Sequence, residues 1–226
     1  MTLQRSPELR VLGEASAADL DALRTREARL AFWINAYNTL VDRGLVALDL
    51  RRSVWDIPDF FDRISYRAGE LVFSANDVEH GVLRGNRPSP LSAVAPFPAG
   101  DRRLAHAIVP ADPRIHFAIS CGARSCPPVR TYHAERLDEE LEAAARAFVN
   151  QEVTLAGGTL TASSIFHWFR VDFEDQPGGL AGFLARYLEA GPVRQAVLLG
   201  GVAGLAWRPY DWRLARPVPV PGREVD

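Results

Sequence analysis

Both cysteines of the chain fall within one short stretch, Arg114-Ile-His116-Phe-Ala-Ile-Ser-Cys121-Gly-Ala-Arg124-Ser-Cys126-Pro-Pro128. An apolar alternating segment runs there into a loop bounded by Gly122 and two prolines, a pattern that predicts a strand presenting Cys121 at a rigid rim. A thiol so placed is a nucleophile only with a base in hydrogen-bond reach and a third group to orient the base. Arg124 supplies a fixed positive charge that would lower a thiol pKa, and the amides of Gly122 and Ala123 are candidate oxyanion donors. The opposing reading is packing, because free cysteine is among the most buried residue types.

Two histidines compete for the base. His116 precedes Cys121 by an odd separation, which on an unbroken strand sends the two side chains to opposite faces. His80, expected on a separate helix, is the better candidate, since residues that share a site usually come from different elements. Glu79 beside it is rotated by about a quarter turn of helix, so either side chain is expected to meet the loop independently. Against both stands a satisfied or solvated imidazole. A zinc site built from Cys121, Cys126, His116 and His80 is disfavoured, because the gap between the thiols is looser than a zinc knuckle and there is no second cysteine pair. A Cys-x-x-Cys couple is absent, although reversible oxidation of the two thiols stays open. With no phosphate loop, dinucleotide fingerprint or Gly-x-Ser-x-Gly elbow, no metal and no cofactor are expected.

The elements that must position these residues follow from capping and periodicity. Ser16 with Asp19 reads as an N-cap with an acidic third position, and Ala17 to about Leu48 then reads as helix, with Gly44 as an end or break. Leu30, Trp33, Ile34, Tyr37, Leu40 and Val41 form its apolar face. Asn38 falls between Ile34 and Val41 and should be buried. An unsatisfied buried amide costs about 1 to 3 kcal/mol, so Asn35 and Asn38 are expected to hold a partner. Ser53 with Asp56 and Ser74 with Asp77 repeat the cap, and the second opens the helix of Glu79 and His80. Residues 64–66 and 71–73 read as a hairpin, residues 88–98 as a proline-rich loop, and residues 135–149 as an amphipathic helix. A second hairpin turns at Gly157-Gly158, two further helices are expected over 180–188 and 194–199, and residues 207–212 read as irregular. Trp168-Phe-Arg-Val-Asp172-Phe173 reads as core, with the aspartate capping a turn.

Composition narrows the classes. Apolar and charged fractions of 47% and 24% are ordinary globular values and rule out a disordered or collagenous chain. The net charge of -2 offers no field for nucleic acid or an anionic bilayer, so neither is expected as a partner. All 26 basic residues are arginine, which removes lysine Schiff-base chemistry. The start, residues 1–7, lacks the apolar run of a signal peptide, and a cytoplasmic location is expected.

As an ordered set, Phe32-Trp-Ile-Asn35-Ala-Tyr-Asn38, Val78-Glu79-His80-Gly-Val-Leu-Arg84, the cysteine stretch, residues 165–173 and Tyr210-Asp211-Trp212 resemble the blocks of the family called domain of unknown function 547. The resemblance spans about residues 30–214. It implies that Asn35, Asn38, Glu79, His80, Cys121 and the Ser125-Cys126-Pro127 corner belong to a shared architecture, and it implies no assigned activity. Phe169 departs from the tyrosine of many relatives, which removes one hydroxyl.

These readings predict an α+β fold, one helix-rich domain over residues 1–226 with a small mixed sheet and two hairpins. The expected chemistry is thiol-dependent acyl transfer or hydrolysis of a small-molecule or peptide substrate. Cys121 is the nucleophile, His80 the base with His116 as its rival, and Glu79 or Asn35 the orienting group. Asn38, Arg124 and Cys126 would complete the binding site. The alternative is a non-catalytic module that binds a peptide or small ligand, with the Cys/His cluster purely structural.

Overall fold

Ser16 and Asp19 close a reciprocal capping box between strand β1 (Arg10–Ala15) and helix α1 (Ala17–Ala22), as their spacing predicts. The computed structural model describes residues 10–216, so the start that was read for a signal peptide lies outside the described residues. The expected single helix to Leu48 is two. Thr25 accepts a hydrogen bond from the Ala28 amide and starts a second helix, α2 (Arg26–Ala47), because a threonine free to cap competes with helix continuation. Gly44 does not end α2. It lies inside the helix, where a Cβ would sit 2.7 Å from Ile64 Cγ2, so the glycine is required for close packing.

Beyond the short helix α3 (Phe60–Arg63) the chain forms β2 (Ile64–Ala68) and β3 (Leu71–Ser74), the expected hairpin, turning at Gly69 with φ +59°. β1 adds to β2 in parallel and completes a mixed three-stranded sheet. The Ser74–Asp77 cap also forms, but the helix it opens, Asp77–Leu83, is π-type. Its wider turn is shown by the Arg84 amide bonding to the Glu79 carbonyl.

The expected strand before Cys121 is a 3₁₀ helix, Pro113–Phe117. Asp112 caps it through the Arg114 amide and Pro113 occupies its first turn, a helix-start pair that overrides the apolar alternation. His116 therefore lies on a helical turn, and the strand-parity argument does not apply to it.

The amphipathic helix appears as α4 (Leu137–Glu152), and β4 (Thr154–Ala156) with β5 (Thr159–Ser163) forms the second hairpin. Helices α5 (Ile165–Trp168), α6 (Arg170–Glu174), α7 (Gly179–Tyr187) and α8 (Pro192–Gly200) follow. The segment read as irregular, residues 207–212, begins inside β6 (Ala206–Arg208), which pairs in parallel with β5. The architecture is α+β, with helix outweighing two small mixed sheets.

Apolar side chains collect in two clusters. One centres on α2, with Trp33, Ile34, Tyr37 and Leu40 against Phe73, Val78 and Val82. The other joins Phe117, Phe148, Phe166, Phe173 and Phe183 beneath α4 to α7. The turn Pro113–Phe117 bridges them, sending Ile115 into the first and Phe117 into the second. No helix among the described residues is long and apolar enough to cross a membrane.

Candidate functional site

Asn35 and Asn38, one turn apart on α2, grip the segment that carries the thiols. Asn38 donates to the Ala118 carbonyl and accepts from the Ser120 amide, both at 2.9 Å. Asn35 makes the same two-way contact with the backbone of Tyr132, at 2.8 and 3.0 Å. The partners demanded by these amides are thus backbone groups, not a ligand, and neither asparagine lines the cleft described below. Their clamp holds residues 118–132 in place, which satisfies buried polar groups and sets the position of Cys121 and Cys126.

Within that loop the two sulfurs face one another. The Cys121 amide donates to Cys126 Sγ at 3.0 Å, and Tyr210 Oη lies 2.9 Å from Cys126 Sγ and 3.6 Å from Cys121 Sγ. Burial raises the Cys126 thiol, but hydrogen bonds from the Cys121 thiol, Tyr210 and the amides of Cys121 and Ala123 outweigh it and lower the pKa to about 7. Cys121 moves the other way, because its thiol proton is shared with Cys126 and burial disfavours a second charge. Cys126 Sγ thus has more hydrogen-bond donors gathered around it than Cys121 Sγ, the sulfur that the sequence put first. Burial holds the Tyr210 hydroxyl far above its ordinary pKa, so it remains a donor. Arg124 is exposed, lines no part of the cleft and is not among the causes of either thiol shift. The Gly122 amide, expected to be open for an oxyanion, is engaged by Ser120 Oγ at 3.3 Å.

A second cluster gathers around Asp172, behind the cleft lining that His80 and His116 supply. Its carboxylate accepts from Arg84 Nε at 2.6 Å, Arg84 Nη2 at 3.2 Å and Arg87 Nη1 at 2.8 Å, and pairs with His116 Nε2 at 2.8 Å. Asp172 and Arg84 are both essentially inaccessible, and their pairing ties α6 to the end of the π-helix. Burial pushes the Asp172 carboxyl up, yet the bonds and charges of His116 and Arg84 prevail and hold it well below the usual carboxylate range. The reading of Asp172 as a turn cap is corrected: it is the buried anion of the site.

The neighbours decide the state of each imidazole. A guanidinium has no acceptor, so Arg84 Nη1, 3.1 Å from His80 Nδ1, must donate to it. His80 therefore carries its proton on Nε2, and burial, the largest influence, lowers its pKa and keeps it neutral. The expected role of His80 as base is disfavoured by this arrangement, since its lone pair is already bonded. At His116 the carboxylate of Asp172 requires a proton on Nε2, and among the described residues no group is bonded to Nδ1. Phe169 stacks on the His116 ring at 4.0 Å and carries the Arg84 guanidinium 4.9 Å from its own centroid. Glu79 bonds to Tyr37 Oη at 2.9 Å and stays 3.9 Å from His80 Nδ1, too far to orient it by a hydrogen bond.

Both clusters open on one cleft of about 710 Å³, lined by Cys121, Cys126, Glu79, His80, His116 and the wall of Trp168 and Tyr210. No hydrogen bond joins either thiol to a histidine among the described residues; Cys126 Sγ accepts from the Cys121 amide, and both sulfurs contact Tyr210 Oη. Tyr37, Arg84, Asp172 and Tyr210 escaped the sequence reading. For Asp172 and Arg84 a signal existed, because a buried imidazole and a buried guanidinium need an anion and residues 165–173 hold an acid between two phenylalanines.

No curated protein and no solved structure matches the chain. A family model described as "Protein of unknown function, DUF547" matches residues 20–149, a span that holds both thiols, both cleft histidines and the clamping asparagines, and leaves Asp172 and Tyr210 outside. With more than half of its length under that match, the chain belongs to the DUF547 family.

Proposed function

We propose that the cleft is the active site of a thiol-dependent acyl-transfer enzyme, acting on a small-molecule or peptide ester, thioester or amide. The observation that carries this reading is the seat of Cys126 Sγ. It receives an amide at 3.0 Å and lies 2.9 Å from the half-buried Tyr210 phenol, in the same cleft as an imidazole oriented by a buried carboxylate. The cleft volume falls in the range of roughly 300 to 1,000 Å³ common to small-molecule sites.

In this reading His116 Nδ1, its ring held by Asp172, takes the Cys126 proton directly or through one water. The thiolate attacks the acyl carbon, a C–S bond forms, and the carbonyl electron pair moves to oxygen, where the His80 Nε2–H is a candidate donor. Collapse expels the leaving group, which takes the proton back from His116. Water or another nucleophile then attacks the thioester, gives its proton to His116, and the thiol is restored as the acyl group departs. Phe169 against the His116 ring excludes water from one face of the base.

The test is alkylation of the folded chain by iodoacetamide against pH, resolved by residue with peptide mass spectrometry. Cys126 should label with a midpoint near 7, ahead of Cys121. A short thioester should also leave an acyl group on Cys126 that hydroxylamine removes. A Cys126 midpoint at or above the free thiol value of about 8.5 would leave only the non-catalytic binding module.

A further inference from the structure

The lining of the cleft contains four carboxylates, Asp59, Asp62, Asp77 and Glu79, and no arginine, in a chain whose 26 basic residues are all arginine. Glu79 is bonded to Tyr37 and Asp77 is paired with Arg103 at 2.9 Å. Asp59 and Asp62 have no ion pair among the described residues. Asp62 is partly buried, and burial with the charges of Asp77 and Asp59 raises its pKa despite a bond from Asn76. A solvated acidic face would relax such repulsion, whereas here the fold maintains it at the edge of a cavity. Among the described residues no three His, Cys, Asp or Glu side chains are placed to hold a metal ion, so the field is diffuse rather than chelating.

Two independent features point to an organic ligand. An unbroken aromatic wall crosses the cleft: Trp55 lies 4.9 Å from Trp212, which lies 4.5 Å from Tyr210 and 5.5 Å from Trp168. Trp55 is 52% exposed, while Trp212, Trp168 and Tyr210 back onto the two apolar clusters, so the wall is anchored in the core and presents Trp55 at its open end, and it leads to the hydroxyl that touches Cys126. His80, 6% exposed, has its Nδ1 bonded to Arg84 and, among the described residues, no partner at Nε2. Among the described residues only Tyr132 Oη is a sealed side-chain polar atom without a partner, so His80 Nε2 opens into the cleft it lines.

We infer that the cleft binds a small organic cation, an ammonium group held between the carboxylates of Asp59 and Asp62 and the aromatic wall formed by Trp55 and Trp212. Aromatic faces attract cations and carboxylates attract them further, whereas an anionic group at the Asp59–Asp62 end would meet like charge. The inference names the substrate class of the proposed active site. It rests on the cleft being a ligand site and not on the thiol chemistry.

Three probes of one shape test it on the full chain at pH 7: phenethylammonium, the neutral 2-phenylethanol and the anionic 3-phenylpropionate. Binding is followed by tryptophan fluorescence and by calorimetry. The ammonium should bind ~10-fold or more tightly than the alcohol, with a preference that shrinks as salt rises, and the carboxylate should bind weakest. The double variant Asp59→Asn/Asp62→Asn should lose most of that preference while its affinity for the alcohol stays unchanged, which also reports that the fold is intact. Equal affinity for ammonium and alcohol, tighter binding of the carboxylate, or an undiminished preference in the double variant overturns the inference. Selective cation binding with an ordinary Cys126 would remove the acyl-transfer reading alone; an activated Cys126 without cation preference would remove this one alone.

Discussion

Single residues in this molecule are decided by the group opposite them. Asp172 faces Arg84, Arg87 and His116 with almost no water, and removing one partner of a buried ion pair strands the others in low dielectric. Asp172→Asn keeps the shape and removes the charge, so urea unfolding should show a loss of about 3 to 5 kcal/mol. A loss below about 1 kcal/mol would mean that Arg84 reaches water and the cluster is not sealed. Tyr210 acts on Cys126 through one contact at 2.9 Å. Tyr210→Phe leaves the ring in the aromatic wall and removes a donor to the thiolate, so the Cys126 labelling midpoint should rise toward about 8.5. An unmoved midpoint would assign the depression to the backbone amides instead.

At the scale of elements, α2 serves the site without entering its chemistry. Its asparagines replace the ladder bonds that a strand would have supplied to residues 118–132, and the 3₁₀ turn Pro113–Phe117 brings His116 to Asp172. Asn38→Ala would leave the Ala118 carbonyl and the Ser120 amide without partners, at a cost of about 1 to 3 kcal/mol. Hydrogen exchange should then accelerate at the amides of Ser120 and Cys121 while α4 stays protected. Uniform acceleration over the whole chain would instead indicate plain global destabilisation rather than release of the thiol loop. The π-helix has a comparable part: its wide turn brings Glu79 and His80 to the cleft while Val78, Val82 and Leu83 remain in the core.

For the whole molecule, buried titrating groups set the response to pH. Burial lowers the folded pKa of His80 and of His106, so below about 6.5 the unfolded chain binds protons that the folded chain refuses. Stability from these groups is therefore lost as pH falls below that value. Asp172 is held low in the fold, so its contribution is present above about 3.9 and disappears as pH falls further. Asp62 has the opposite sign: its raised carboxyl takes up a proton in the fold first, which adds stability as pH falls. Urea midpoints from pH 8 to pH 3 should decline in two stages, and Asp62→Asn should raise the thermal midpoint at pH 7. A flat profile, or a destabilised Asp62→Asn, would contradict this assignment. A gain in stability on removing Asp62 would fit a residue kept for binding rather than for folding.

The sequence by itself determined the local events: the capping boxes of Ser16 and Ser53, the hairpin turns at Gly69 and Gly157-Gly158, the amphipathic α4, the burial of Asn38 and the family blocks that lie within residues 20–149. Each depends on neighbours within a few positions, where hydrogen-bond geometry and periodicity act directly. What only the tertiary structure decided is who faces whom. Asp172 is 56 positions from His116 and Tyr210 is 84 from Cys126, and no spacing rule connects them. For the same reason the donors gather on Cys126 Sγ rather than on Cys121 Sγ, and Arg84 occupies Nδ1 of His80 while Asp172 holds Nε2 of His116. The type of a side chain is written in the chain, but its pKa and tautomer are properties of the groups that folding places against it.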